Sequence, residues 1–571
     1  MKRIVFALFT ILFVAVVASP LMAQQEQDTE SSMLPEIDPQ DIEIRSQFQA
    51  RFPGLTRQPI LGFDPNPRVY QIDPNRTPFM ETQEQVLANL PVSQLSRPEP
   101  PEHMAFDYAD PKNLFARLGF GSYASPEAKV WGVSHINEKS YIGGDIDYSS
   151  SNGHLDTENS SFRFFDVNAE YATKISEKSR FDITGGAKSS FNNLFDLPAT
   201  NIPITARKEY NGIQLGAGYQ HFKNTITGWK ADANIRYYNI ALTDADVFNG
   251  ESEERVYNVS LAKRWAGSSP NETFTIKGGA KGGNFEHTSN DGSWITAQFG
   301  GSYERLFNYA TKVTVDANVY YAQNEFEDSI YLGPEVTVEH PFLDMLTLKA
   351  KAGATPSLKT LEQLHTENRF LTTGNDLRHS YRMYGKAEAI VEYASSGKFN
   401  FGFQYEDISK YPIFMRTVRF QIGGSGNSTY EYYETSYADA YKVSAYASVA
   451  QEIIQDKLRI NGKLYLQSPK IKDADRIPFE EKVGVNSGIT IRPVNGLSFE
   501  AWADYVGPRK TYTTDEEVDG FIMLGGQADV QITKRIGAYI KLVNLLNQDY
   551  EVWQGYTERP FQAYGGVTVK L

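Results

Sequence analysis

From about Asn113 to the last residue, apolar and polar side chains alternate with a period of two in one segment after another. Phe399, Phe401, Phe403 and Tyr405 interleave with Asn400, Gly402, Gln404 and Glu406. Val313, Val315, Ala317 and Val319 interleave with Lys312, Thr314, Asp316 and Asn318. Leu458, Ile460, Gly462, Leu464 and Leu466 do so with Arg459, Asn461, Lys463 and Tyr465, and Leu497, Phe499, Ala501, Ala503 and Tyr505 with Ser498, Glu500, Trp502 and Asp504. Successive side chains of a strand point to opposite faces, so each segment predicts a strand with one apolar and one polar face. The last stretch sets Phe561, Ala563, Gly565, Val567, Val569 and Leu571 against Gln562, Tyr564, Gly566, Thr568 and Lys570. An exposed apolar terminal edge in water invites mispairing. A barrel in lipid removes that edge by pairing the last strand with the first.

The connections sharpen this reading. Short turns recur at Asn137-Glu138-Lys139, Ser176-Glu177-Lys178, Ser395-Ser396-Gly397, Gln455-Asp456-Lys457, Val494-Asn495-Gly496 and Thr533-Lys534-Arg535. Between them lie longer excursions: Ser149–Ser160, Leu194–Ile204, Thr243–Glu254, Thr355–His379, Ser425–Thr435, Ser468–Glu481 and Pro508–Val518. Short turns on one side and long loops on the other predict an all-β, antiparallel outer-membrane barrel of about 22 strands. A soluble propeller needs a blade-sized repeat, and the sequence carries none.

The chain opens differently. Met1-Lys2-Arg3, an apolar run from Ile4 to Ala18 and the small residue Ala23 predict an export signal cleaved after residue 23. Residues 24–112 follow, with 13 of the chain's 27 prolines, and these exclude extended sheet. Thr77-Pro78 can open a short helix reaching Leu90. Residues 113–571 then form the barrel. The absence of cysteine rules out disulfides, thiolate metal sites and a lipidated N-terminal cysteine. With 56 Lys and Arg against 70 Asp and Glu, the net charge is −14, which disfavours nucleic acid as a partner. The expected location is the cell outer membrane, with its lipid as the first partner.

Two stretches resemble the TonB-dependent receptors of Gram-negative outer membranes. One is Val543-Asn544-Leu545-Leu546-Asn547-Gln548-Asp549-Tyr550 with Trp553, Gly555-Tyr556 and the closing Gly565-Gly566-Val567-Thr568-Val569. It is similar to that family's penultimate strand, last loop and final strand. The other, Pro356, Leu358, Leu361, Leu364, Asn368-Arg369-Phe370-Leu371 and Asn375-Asp376-Leu377, resembles its mid-barrel loop. There Arg369 stands in place of the family's usual proline. The resemblance covers the barrel and implies transport of a small solute. It does not extend to a plug domain, since residues 24–112 show no plug motif beyond Ile42-Glu43-Ile44-Arg45. A periplasmic or plug-bearing partner is one consequence.

Enzyme chemistry finds no support in the sequence. His103, His135, His154, His221, His287, His340, His365 and His379 are scattered, without ligand spacing, and no Gly-x-Ser-x-Gly occurs. The acidic groups Asp244, Asp246, Glu251, Glu253, Glu254 and Asp515, Glu516, Glu517, Asp519 read as solvated loops. Gly278, Gly279, Gly282 and Gly283 read as close packing in a strand. No catalytic, metal or cofactor residue is assigned, no cofactor is expected, and the ligand-binding residues are unknown. Two functions stay open: a barrel that moves a solute, or a structural or partner-binding barrel occluded by its N-terminal segment. For occlusion, Arg45, Arg51, Arg57, Arg68 and Arg76 would meet wall carboxylates such as Asp316, Glu406 and Glu500.

Overall fold

The computed structural model describes residues 113–571, apart from 156–159, 198–203, 244–249, 288–289, 394–396, 424–425, 512–515 and positions 225, 270, 309, 473 and 475. The signal peptide and the proline-rich stretch 24–112 lie outside the described residues, as does every expectation placed on them. Everything that follows lies within Pro74–Leu571.

The strands are β1 Leu114–Gly121, β2 Ser125–Asn137, β3 Ser140–Ser151, β4 Phe162–Ser176, β5 Ser179–Leu197, β6 Ile204–Phe222 and β7 Gly228–Thr243. Next come β8 Gly250–Ala266, β9 Glu272–His287, β10 Asn290–Phe307, β11 Thr311–Gln323, β12 Asp328–Leu343, β13 Leu346–Leu358, β14 His379–Tyr393, β15 Gly397–Gly423 and β16 Gly426–Ile454. The ring ends with β17 Leu458–Ile471, β18 Val483–Val494, β19 Leu497–Val506, β20 Phe521–Gln531, β21 Ile536–Val543 and β22 Gln562–Lys570. One helix, α1 Leu361–Glu367, sits in the connection from β13 to β14.

These strands form one 22-stranded antiparallel sheet that closes on itself. β1 pairs with β22 from Phe115 opposite Lys570 to Gly121 opposite Tyr564. The last strand therefore has a partner on both sides, as its apolar terminal edge requires. The even count expected from the turns and the closure expected from the last strand are both present.

The alternation sorts the two faces of the wall. Phe401, Leu464, Phe499 and Val567 are among the large apolar residues left exposed on the outer face, a surface suited to hydrocarbon. Gln562, Tyr564 and Thr568, on the opposite parity of β22, are buried. Trp502 and Asp504 are likewise buried on the inner face of β19.

One expected loop is strand instead. Ser425–Thr435 reads as an excursion because Gly423-Gly424-Ser425-Gly426 is turn chemistry. β15 and β16 in fact continue pairing as far as Gly423 opposite Gly426. Thr429, Tyr430, Tyr432 and Tyr433 have the β propensity to sustain it. The pair outruns its neighbours, since β15 leaves β14 after Ser409 and β16 meets β17 only from Ala440. The register shifts between Ile408 and Tyr411, and Lys410 has φ of 54°. A bulge there bends the hairpin away from the wall. β16 also meets β5, half-way round the ring, so it reaches across the mouth at the long-loop end.

Candidate functional site

A lumen bounded by this many strands is too wide for wall side chains to fill. At the long-loop end the connection 359–378 folds into it. The wall prepares for this by breaking its own alternation. Leu194, Tyr210, Tyr238, Ile240, Leu242, Val256, Phe285 and Trp294, from β5 to β10, are buried and apolar at that end. Against them pack Leu361, Leu364, Phe370, Leu371 and Leu377, with Phe479, Val518, Trp553 and Tyr556 from later loops completing the cluster.

Local chemistry explains why the connection is ordered. Thr360 and Gln363 form a capping box, the Thr360 hydroxyl accepting from the Gln363 N–H at 3.3 Å and the Gln363 side chain accepting from the Thr360 N–H at 3.0 Å. Spacing of three puts Leu361 and Leu364 on one face of α1. Glu254 of β8 accepts from the Leu361 N–H at 2.8 Å and from Trp294 Nε1 at 3.1 Å. Glu254 was expected in a solvated acidic loop; it is buried and anchors the helix start. The expectation failed because β8 begins at Gly250, before Glu251, Glu253 and Glu254.

Two basic residues of the wall take the other acid of the helix. Glu362 receives Lys188 of β5 at 2.5 Å and Arg236 of β7 at 2.8 Å, one on each carboxylate oxygen. Burial pushes its carboxyl upward, but Lys188 and Arg236 outweigh burial and hold it below its ordinary value. Beside this contact is a small open recess lined by Asp166, Asn168, Lys188, Gln214, Arg236 and Glu362. His365, one turn on, is buried with neither ring nitrogen hydrogen-bonded. Burial first, then Lys208, holds it well below the usual histidine range.

After the helix the backbone itself is gripped. The Arg369 carbonyl accepts from the Tyr210 hydroxyl at 2.8 Å and from Asn192 Nδ2 and Lys208 Nζ at 3.2 Å each. Lys208, fully buried, also donates to the Leu371 carbonyl. On the far side the Thr372 N–H donates to the Tyr433 carbonyl at 2.9 Å, and the Tyr433 hydroxyl donates to the Gln554 carbonyl at 3.0 Å. Thr435 donates to Asn375 Oδ1 through its N–H and hydroxyl. The Arg369 side chain pairs with Glu558. The connection is thus tied to β5–β8 on one side and to β16 and the last loop on the other. It spans the mouth as a lid.

Other residues singled out in the sequence have structural places. Asp316 is paired with Lys277 at 2.8 Å and Glu406 with Arg382 at 3.1 Å, so the wall supplies its own partners for those acids. Gly279 and Gly283 of β9 are close-packed: a Cβ there would lie 2.7 Å from the Val259 carbonyl and 2.8 Å from Trp294 Nε1. Among the described residues no group of three or more His, Asp or Glu is placed to hold a metal. Sequence reasoning named the stretch Pro356–Leu377 but not its wall partners. The available signal was apolar residues at inward positions, such as Tyr238, Ile240 and Leu242.

No protein-family model matches the sequence, and no curated protein matches it. Solved structures do match the fold. The copper transporter OprC is 11% identical with a TM-score of 0.63, over 80% of this chain and 82% of that one. The FrpB iron transporter from Neisseria meningitidis is 9% identical with a TM-score of 0.62, over 81% and 82%. A mutant of the ferric enterobactin receptor PfeA from Pseudomonas aeruginosa is 11% identical with a TM-score of 0.61, over 80% of each chain. At these identities the likeness is one of fold, and at that level the resemblance read from the last strands and the mid-barrel loop is borne out.

Proposed function

We propose that this chain, with the barrel fold of the TonB-dependent receptors, lies in the outer membrane and moves, or helps move, a small solute across it. The segment 359–378 is the gate of its outer mouth. Similar folds named as copper and iron transporters and as a ferric enterobactin receptor support a transport or receptor role over an enzymatic one. The observation that carries the reading is the pairing of Glu362 with Lys188 and Arg236. A closure latched by charges above a polar lumen exposes, on opening, groups that water solvates well, so opening costs less than unpacking an apolar plug.

A second reading, a structural or partner-binding barrel kept shut, draws support from the apolar cluster around Leu361, Leu364 and Phe370. Replacing Thr360–Leu377 with a short Gly/Ser linker and recording conductance in a planar bilayer separates the two. The transport reading expects a closed wild-type barrel and a wide, stable pore in the deletion. A deletion that stays non-conducting even when Gln27–Pro101 is also removed returns the barrel to the structural reading.

A further inference from the structure

Arg236 is ion-paired with Glu362, and its Nε is buried without a hydrogen-bond partner. Lys188 has a second acid nearby, Asp166 at 3.9 Å. Asp166 is in turn occupied by Asn168 Nδ2 at 2.9 Å, and Asn168 also donates to Asp145 at 3.1 Å. Gln214 Nε2 donates to Asn168 Oδ1 at 3.1 Å. Two wall cations, two amides and the Asp166 carboxylate therefore surround a recess into which the lid inserts a second carboxylate.

Glycines shape the floor of that recess. A Cβ on Gly186 would sit 2.6 Å from Asn168 Oδ1 and 2.7 Å from Gln214 Nε2, and one on Gly212 would sit 2.9 Å from Lys188 Cγ. Any side chain at either position would break the amide pair or displace the lysine. The site is built into rigid strands β4 to β7, while its occupant is on a connection. A guanidinium and an ammonium held at fixed positions are the recurrent means of recognising a carboxylate or phosphate.

We propose that Lys188 and Arg236 form a binding site for an oxyanion, a carboxylate- or phosphate-bearing solute, and that Glu362 is the built-in competitor that fills it when the lid is shut. This rests on the transport reading only in that the lid must leave. A solute arriving at Arg236 displaces Glu362 and so unlatches the lid. When Glu362 departs, Lys188 keeps Asp166 as a neighbour, and Arg236 is left for the solute.

Calorimetry on the full chain in detergent, with citrate and with inorganic phosphate as probes, tests this. Glu362→Gln is expected to bind one of the probes about tenfold more tightly than wild type. Adding Arg236→Gln to it should abolish that gain. The probe that responds identifies carboxylate or phosphate as the chemistry. In wild type, the same probe should raise protease cleavage within 359–378, and in Arg236→Gln alone it should not, a readout that needs no Glu362 variant. Equal binding with and without Arg236, or probe-independent cleavage, would overturn the proposal. Failure of the lid deletion to conduct even with Gln27–Pro101 also removed would instead sink transport and leave this binding result standing.

Discussion

Phe370 of the lid lies flat on Tyr556 of the last loop, with ring centroids 3.6 Å apart and planes at 12°. Both are buried in the cluster that also holds Trp553 and Tyr433. An aromatic pair contributes roughly 0.5–1.5 kcal/mol beyond the area it buries. Phe370→Ala removes the stack and leaves a cavity, at a cost of about 3–5 kcal/mol for a buried phenylalanine. That cost falls on docking of the lid and not on the wall ladder. Phe370→Ala should therefore raise protease cleavage within 359–378 and raise conductance, while heat-modifiability of the barrel in gels stays as in wild type. Loss of heat-modifiability together with lid docking would show that the two are one cooperative unit.

His365 makes the lid sensitive to acid. Its ring is buried beside Lys208 and stacked edge-on near Tyr210, and its affinity for a proton in the closed state lies well below the ordinary value of 6.5. Opening the lid restores the ordinary value. The open state therefore binds more protons, and closure is fully favoured above about 6.5 and weakens as the pH falls below it. Cleavage of the lid, or conductance, should rise between about pH 7 and pH 5, and His365→Leu should flatten that rise. An unchanged pH profile in His365→Leu would assign the effect to other groups.

How much of this was legible in the sequence depends on the range of the interactions involved. Strand parity is local, so Phe401 and Gln404, or Leu464 and Asn461, sort to opposite faces from the alternation alone. Closure followed from the alternation of apolar and polar residues over Phe561–Leu571, which calls for a partner on each edge. The lid was visible as the long excursion Thr355–His379 and through its resemblance to a mid-barrel loop. Its burial depends on Tyr210, Tyr238 and Tyr556, which are remote in sequence and face an interior that barrel rules describe as polar. The β15–β16 hairpin was misread at Ser425–Thr435 because glycine and asparagine there specify a turn without fixing its length. Glu254 was placed in solvent because three acids in five residues look solvated, and nothing local reveals that Leu361 needs an acceptor.

Parity can be tested on β15 and β17. Phe401 and Leu464 are 54% and 42% exposed on the outer face, and Gln404 and Asn461 lie on the inner one. Near the middle of the bilayer Phe401→Arg or Leu464→Arg should destabilise by about 2–4 kcal/mol. Gln404→Arg and Asn461→Arg place the charge in a polar lumen and should be mild. Urea unfolding of the four variants in lipid vesicles gives the comparison. Equal losses for both parities would count against lipid on the outer face.

The last test concerns residues 24–112, for which the sequence reading offers two roles, a lumen occupant or a periplasmic tether. A pore with two obstructions in series conducts according to the tighter one. The lid closes the long-loop mouth by contacts wholly within the described barrel, from Lys188 and Lys208 on one wall to Tyr433 and Tyr556 opposite. Deleting Gln27–Pro101 alone should then leave conductance near zero whichever role the segment has, and that experiment by itself decides nothing about it. On the background lacking Thr360–Leu377 the same deletion becomes informative. A lumen role would pair the arginines at 45, 51, 57, 68 and 76 with carboxylates of the wall. In that role the double deletion is expected to conduct in larger unit steps than the lid deletion. Steps of the same size in both, with residues 24–112 cleaved by protease added from the periplasmic side, would make the segment a tether.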